Sequence, residues 1–375
     1  MTEAGRILGQ RSWTLLFLGA FLALSRNDAV ANSIYIPQFG RPLPVADRIV
    51  FAEPGEEPHR LICIAKQGGK KLWEVSDTNH VIQPCFVASN HVIVTVGADV
   101  EECDPESGRL TLLYRSGYDE RDVFLTIMRD GSTLVQGIKS NIDCVAFVPN
   151  GSWRAVREVP RIALVIAAGQ DTLFCGEATR RPLANGTFTY SDETYIALSR
   201  KDGKVMWSFP PLPSRQPHFL KGAAVSNFFL VYLDGTIHCL NQQSGATVGR
   251  YKIYEAPSGP VSLLAQDEHL LVRARRDLST NVDLSYSYFS LTIPNLQRHN
   301  LTRHDWEDAL AVHNGTMDPD YVYSTSTDTD WINTSVIRTE IKTGNRTELY
   351  REPLPSEYSR ERQELEKAVI RPNRN

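Results

Sequence analysis

At 375 residues the chain can bury a large core, and its composition is that of an ordinary globular protein. Its 40 basic and 44 acidic residues leave a net charge of −4, which argues against the basic footprint of a nucleic-acid binder. No run of 18 or more uncharged apolar residues occurs, which argues against a stable membrane-spanning helix.

The N-terminus reads as a targeting segment. Arg6 and Arg11 form a weakly basic opening, Trp13 to Leu24 is an apolar run of 12, and Ala29-Val30-Ala31 fits a small-x-small cleavage site. Residues 1–31 are therefore expected to be a signal peptide, with the mature chain starting near Asn32. Their removal takes away three basic and two acidic residues and leaves a charge of −5. No cysteine lies near the cleavage point, so a bacterial lipid anchor is not indicated.

Seven segments then share a hairpin pattern of two β-prone runs around a polar turn. The first, LICIAKQGGKKLWEV (61–75), turns at Gly69 and carries Trp73. The second, 100–114, turns at Ser107-Gly108. The third, CVAFVPNGSWRAV (144–156), turns at Asn150-Gly151 and carries Trp153. The fourth, YIALSRKDGKVMWSF (195–209), turns at Asp202-Gly203 and carries Trp207. The fifth, IHCLNQQSGATVGRY (237–251), turns at Ser244-Gly245. The sixth, 286–301, has Pro294-Asn295 where glycine should be, and the seventh, 336–350, turns at Thr343-Gly344.

Counted at residues 69, 108, 151, 203, 245, 295 and 344, the turns are 39, 43, 52, 42, 50 and 49 residues apart. Strand-rich repeats of that length are propeller blades, each a four-stranded sheet. The fifth segment predicts all four strands: 223–226, 228–233, 236–241 and 247–253. Insertions at 177–192 and 277–283, each between the second and third strands of its blade, account for long intervals. Runs such as FFLVYL (228–233) and HLLVRA (269–274) are apolar on both faces, so each sheet must be covered on both sides by neighbours. SIYIPQF (33–39) could add a closing strand to the last blade. After Pro353 and Pro355, residues 356–375 are charged and helix-prone, with Ser356 as a cap, and predict a short surface helix and tail. The expected fold is all-β: a seven-bladed propeller of four-stranded antiparallel blades over 32–355.

The blade motif resembles the pyrroloquinoline-quinone-type repeat: an apolar strand, a polar turn ending in Gly-Lys, then tryptophan. Ala197-Leu198 with Asp202-Gly203-Lys204 and Trp207 carries the likeness, as does Ile64-Ala65 with Gly69-Lys70 and Trp73. It covers most of the mature chain and is strong in these two repeats. The resemblance implies that the tryptophan packs between blades. Dehydrogenases of that family have adjacent cysteines and an acidic calcium cluster under the quinone. This sequence has no adjacent cysteines and no match to the cluster. The likeness therefore points to the non-catalytic branch, which includes the propeller of the bacterial outer-membrane assembly machinery.

No residue is nominated as catalytic, cofactor-binding or metal-ligating, and no cofactor is expected. GxSxG, HExxH and phosphate-cradling glycine loops are missing. Cys63, Cys85, Cys103, Cys144, Cys175 and Cys239 invite a disulfide framework. Several occupy near-equivalent strands of different blades, about 10 Å apart, while a bridge needs Cα atoms within roughly 7 Å; buried free thiols are expected. His299, His304 and His313, with Asp305 and Asp308, form a local cluster without helical ligand spacing, read as a solvated inter-blade loop. Asp328 and Asp330 lack the glycine and distal glutamate of a calcium loop. FPPLPSRQPHF (209–219) reads as a rigid extended connection or a presented ligand. Asn150, Asn185, Asn300, Asn314, Asn333 and Asn345 are glycosylation acceptors only in a eukaryotic secretory source.

These features predict a secreted or periplasmic propeller that binds or scaffolds another protein through loops at the ring ends, with 177–192 and 209–219 as the best contact surface. Polysaccharide is a second partner class, if Tyr190, Tyr195 and Trp331 line one face. The alternative is an enzyme using the central channel, a divergent quinoprotein or a hydrolase.

Overall fold

The computed structural model describes residues 40–53, 59–119, 124–127, 132–149, 152–182, 188–209, 221–233, 235–254, 261–275, 286–327 and 333–353. By contacts the chain divides into residues 1–37 and 38–375; the first unit lies outside the described residues. So do the signal-peptide cleavage site, the SIYIPQF strand, most of the proline-rich connection, Asp328, Asp330, Trp331 and the C-terminal helix and tail.

The second unit is built of seven antiparallel sheets, each one uninterrupted stretch of chain: 43–77, 82–114, 124–160, 162–209, 221–252, 261–300 and 321–353, numbered sheets 1 to 7. Six have four strands in sequence order. Every predicted turn falls between the last two strands of one sheet. In sheet 5 the strands are Lys221–Val225, Phe228–Leu233, Thr236–Asn241 and Thr247–Lys252.

Two-sided burial explains the stacking. In the third strand of sheet 1, Leu61 and Cys63 pack with Val92 and Val94 of sheet 2. The alternate residues, Ile62 and Ile64, pack with Tyr323 and Val336 of sheet 7. Side chains alternate between faces along a strand, so one apolar run supplies two interfaces. Similar clusters join sheets 2 and 3, 3 and 4, 4 and 5, and 5 and 6. This is the radial sheet packing of a β-propeller.

The tryptophans stitch neighbouring sheets. The Trp73 indole of sheet 1 donates to the Pro105 carbonyl of sheet 2 at 2.8 Å, and Trp207 of sheet 4 donates to the Gln242 carbonyl of sheet 5 at 2.8 Å. Each ring lies on the next sheet's turn glycine. A Cβ on Gly108 would stand 2.9 Å from Trp73, and one on Gly245 would stand 2.7 Å from Trp207. The expected inter-blade packing holds for both.

Four expectations need correction. Sheet 7 has three strands, Tyr321–Thr327, Asn333–Glu340 and Arg346–Pro353; a single bridge from Met317 to Val322 stands where a first strand would lie. Residues 299–313 are not a solvated loop: Arg303–His313 is a helix, α1. Thr302 and Asp305 form a capping box, and Trp306 is buried against Leu264 and Leu271 of sheet 6. The sixth turn is centred one residue later than expected, with Leu296 at φ 54° in the place of glycine. Trp153 lies ahead of the fourth strand, Arg157–Pro160, and stacks on Tyr114 of sheet 2 at 6.4 Å. The 177–192 insertion is the outer part of a long hairpin, Thr172–Pro182 with Phe188–Ser199, in register from Thr179–Ser191 to Pro182–Phe188. Its Thr and Tyr content favours the pleated conformation.

All six cysteines are free thiols, and five are buried. Burial pushes the Cys63 and Cys103 thiols up to about 12 and Cys239 up to about 11. Since the thiolate is the nucleophile, the native protein at pH 8 is expected to leave the five buried cysteines unmodified by Ellman's reagent, with all six reacting in denaturant. Several fast-reacting thiols in the native protein would contradict this packing.

Candidate functional site

The two ends of the sheets differ. At one end, first and second strands join through turns such as 46–47, 89–90, 226–227 and 267–268. The last two strands of five sheets join there through the five- and six-residue turns 66–70, 104–109, 200–204, 242–246 and 341–345. Backbone bonds tie the two turn sets together: Lys66 to Asp47 at 2.8 Å, Arg200 to Asp171 at 2.9 Å, Gln242 to Asn227 at 2.9 Å and Ile341 to Asp320 at 2.9 Å. At the opposite end finish the strands that flank 54–58, 183–187, 276–285 and 328–332, and there the chain leaves the fourth strands at 115–119 and 253–254; residues 301–320 run from this end to the tight-turn end, where Asp318 and Asp320 lie. Both segments favoured from sequence therefore join strands at this second end. Tyr254, 77% exposed, follows the last strand of sheet 5 there, with the Lys252 ammonium 5.5 Å over its ring.

The joint between sheets 7 and 1 carries polar groups at both ends of an apolar centre. At the tight-turn end is a crevice of about 570 Å³, lined among others by Asp47, Lys66, Asp318, Tyr321, Tyr323 and Arg338. The Lys66 ammonium lies 2.9 Å from Asp318, and the Tyr323 hydroxyl donates to the same carboxylate oxygen at 2.8 Å. Arg338 donates to the Lys66 carbonyl at 3.3 Å and lies 4.6 Å over the Tyr321 ring. Burial pulls the Asp318 carboxyl up, but Lys66, Tyr323 and the Asp320 N–H together hold it below its ordinary 3.8. A carboxyl lowered in the folded state adds stability above its unfolded value, and that stability is lost as pH falls through the folded one. Asp318→Asn is thus expected to destabilise at pH 7 and to flatten the stability profile below about pH 4. Urea titrations of both proteins at pH 7 and pH 3 check this; parallel profiles would contradict it.

At the loop-bearing end of the joint, one guanidinium serves three carboxylates. Arg60 forms a two-pronged pair with Glu53, and lies 3.0 Å from Glu352 of sheet 7 and 3.4 Å from Glu74. Tyr350 donates to Glu352 at 2.9 Å.

The other sequence-singled residues fall apart as a site. His299 lies on the fourth strand of sheet 6. Asp305 is committed to the α1 cap, and His304 faces Asp308 at 3.7 Å. Among the described residues no three His, Cys, Asp or Glu side chains converge to hold a metal. Tyr195 is buried against Phe174 and cannot join an exposed aromatic row. Asn300 and Asn345 are exposed, and Asn314 caps α1. No helix among the described residues is long and apolar enough to cross a membrane.

Sequence, packing and topology together define a seven-sheet β-propeller. No family model matches the chain, and no curated protein does. Solved structures similar to it include BamB from Moraxella catarrhalis, 16% identical over 61% of this chain and 77% of that one, TM-score 0.35. The β-propeller domain of the Trilobed protease from Pyrococcus furiosus, described as having an open velcro topology, is 9% identical over 85% and 97%, TM-score 0.43. The tricorn protease is 12% identical over 82% of this chain, which spans 29% of that protein, TM-score 0.29.

Proposed function

We propose that this chain is an exported propeller that binds or scaffolds another protein through its loop-bearing end. The observation that carries the reading is the difference between the two ends. Short turns, bonded to one another, close one end. The outer strands of the long hairpin and exposed Tyr254 lie at the other. A rigid frame with variable connections on one side is the usual arrangement of a recognition surface. The N-terminal apolar run and Ala29-Val30-Ala31 support export, with domains at 1–31, 32–355 and 356–375.

Site-specific photocrosslinking in the producing cell tests both parts. Benzoylphenylalanine at Tyr254 or Thr194 should give discrete protein adducts, and at Gln243 or Thr343 none. The purified chain should begin near Asn32. Adducts from the tight-turn positions alone would overturn the assignment of the surface. No adducts, with retention on immobilised polysaccharide, would replace the protein partner by a sugar.

A further inference from the structure

The seam between sheets 5 and 6 departs from the tryptophan-on-glycine arrangement at both partners. Gly249 stands opposite Cys239 in the fourth strand of sheet 5, as Trp73 stands opposite Cys63 and Trp207 opposite Ala197. Across the seam, Leu296 takes the turn-glycine position: its N–H bonds the Thr292 carbonyl at 2.7 Å, as Gly245 bonds Asn241 at 2.9 Å. A Cβ on Gly249 would stand 2.9 Å from the Leu296 Cδ1. Bulk has moved from one partner to the other, but a leucine is smaller than an indole. A crevice of about 570 Å³ remains, lined by Phe228, Val248, Gly249, Tyr251, Pro294 and Leu296. The Ile293 carbonyl, counterpart of the Gln242 carbonyl, receives no indole N–H from Gly249.

We propose that this crevice receives a tryptophan side chain, flanked by carboxylates, from a partner polypeptide. Shape comes from the molecule itself: at two equivalent seams the same slot holds the chain's own indole, with a turn carbonyl as acceptor. Charge complementarity supplies the flanking groups. Arg250 lines the crevice, is exposed, and forms no ion pair among the described residues. Arg298 donates to the hydroxyl of Tyr251, a lining residue, at 3.4 Å, with its guanidinium 4.3 Å over the Phe289 ring. A desolvated indole supplies most of the contact and a rim carboxylate the orientation. The crevice lies towards the tight-turn end, so this inference is independent of the loop-bearing surface.

The test is a fluorine NMR titration of the full-length protein with the blocked tripeptide Asp-(5-fluorotryptophan)-Asp. Saturable binding is expected with a dissociation constant on the order of 1 mM. Arg250→Glu should weaken it at least about threefold, and exposed Val248→Glu should do the same, both with an unchanged melting temperature. Asp-Ala-Asp should not compete. Gly249→Trp with Leu296→Gly, which restores the arrangement of the other seams, should abolish binding. If that double variant does not fold, the two surface variants still decide. Absence of saturable binding, or equal affinity in wild type and both surface variants, overturns the proposal.

Discussion

Replacing Gly69 by alanine is expected to destabilise the propeller by more than about 3 kcal/mol, whereas the same change at Gly68 costs only about 1 kcal/mol. Both glycines are left-handed, at φ 63° and 74°. A Cβ on Gly68 meets nothing within 4 Å, while one on Gly69 would stand 1.5 Å from the Leu349 carbonyl oxygen of sheet 7. The backbone penalty is shared; the collision is not. Leu349 is the extra residue of a bulge in the last strand, and its main-chain carbonyl cannot swing away as a side chain can. The Gly69 variant must therefore separate sheet 1 from sheet 7 locally, exposing part of the cluster of Ile49, Phe51, Ile62, Ile64, Tyr323 and Val336. Urea denaturation of the two single variants isolates the joint. Equal losses would show that the contact with Leu349 carries no weight.

Arg60→Ala is the second large effect, about 2–3 kcal/mol at pH 7, because it leaves Glu53, Glu74 and Glu352 facing one another with their shared cation gone. The Glu53 and Glu352 side chains are only 12% and 19% exposed, so water screens them poorly. Burial already holds the Glu53 carboxyl above its ordinary 4.5, even with Arg60 beside it. Without the arginine that rise grows. A carboxyl raised in the folded state costs stability as pH climbs through its folded value, and the cost vanishes below its unfolded one. The variant's deficit should therefore shrink as pH is lowered from 7 towards about 4, a window above the one in which the Asp318→Asn deficit disappears. Glu352→Gln in the Arg60→Ala background should recover part of the loss. A deficit that does not change with pH would mean lost packing of the arginine stem, not charge.

The sequence made the repeat legible because each third-to-fourth-strand turn carries its own local chemistry. Ser107-Gly108, Asp202-Gly203, Ser244-Gly245 and Thr343-Gly344 all place a left-handed glycine where the last strand of a sheet must turn back. Asp104 and Asn241 carboxyl and amide oxygens fix two of these turns by accepting nearby N–H groups. Leu296 breaks the rule: at φ 54° it takes the left-handed position that glycine marks elsewhere, and the neighbouring Pro294-Asn295 is the stronger turn signal in the sequence. Helix α1 was also readable: Thr302 with Asp305 is a capping signature, followed by Trp306, Ala309 and Leu310 at helical spacing. The joint was not readable at all. Lys66 meets Asp318 across 252 positions and Arg60 meets Glu352 across 292, and no local pattern marks a pairing made only when the ring closes.

Each sheet is drawn from a single continuous length of chain, with no strand exchanged between sheets among the described residues. A propeller assembled this way has a mechanical weak point at the meeting of its first and last sheets. Sheets 1 to 6 are each tethered to the next by peptide as well as by side chains, and 301–320 ties sheet 7 to sheet 6, whereas the contacts described between sheets 1 and 7 are Gly69 on Leu349, one apolar plug and two charged clusters. Under tension applied through the chain ends, that meeting place should part first, and the blades should then peel off one at a time in sequence order from either side.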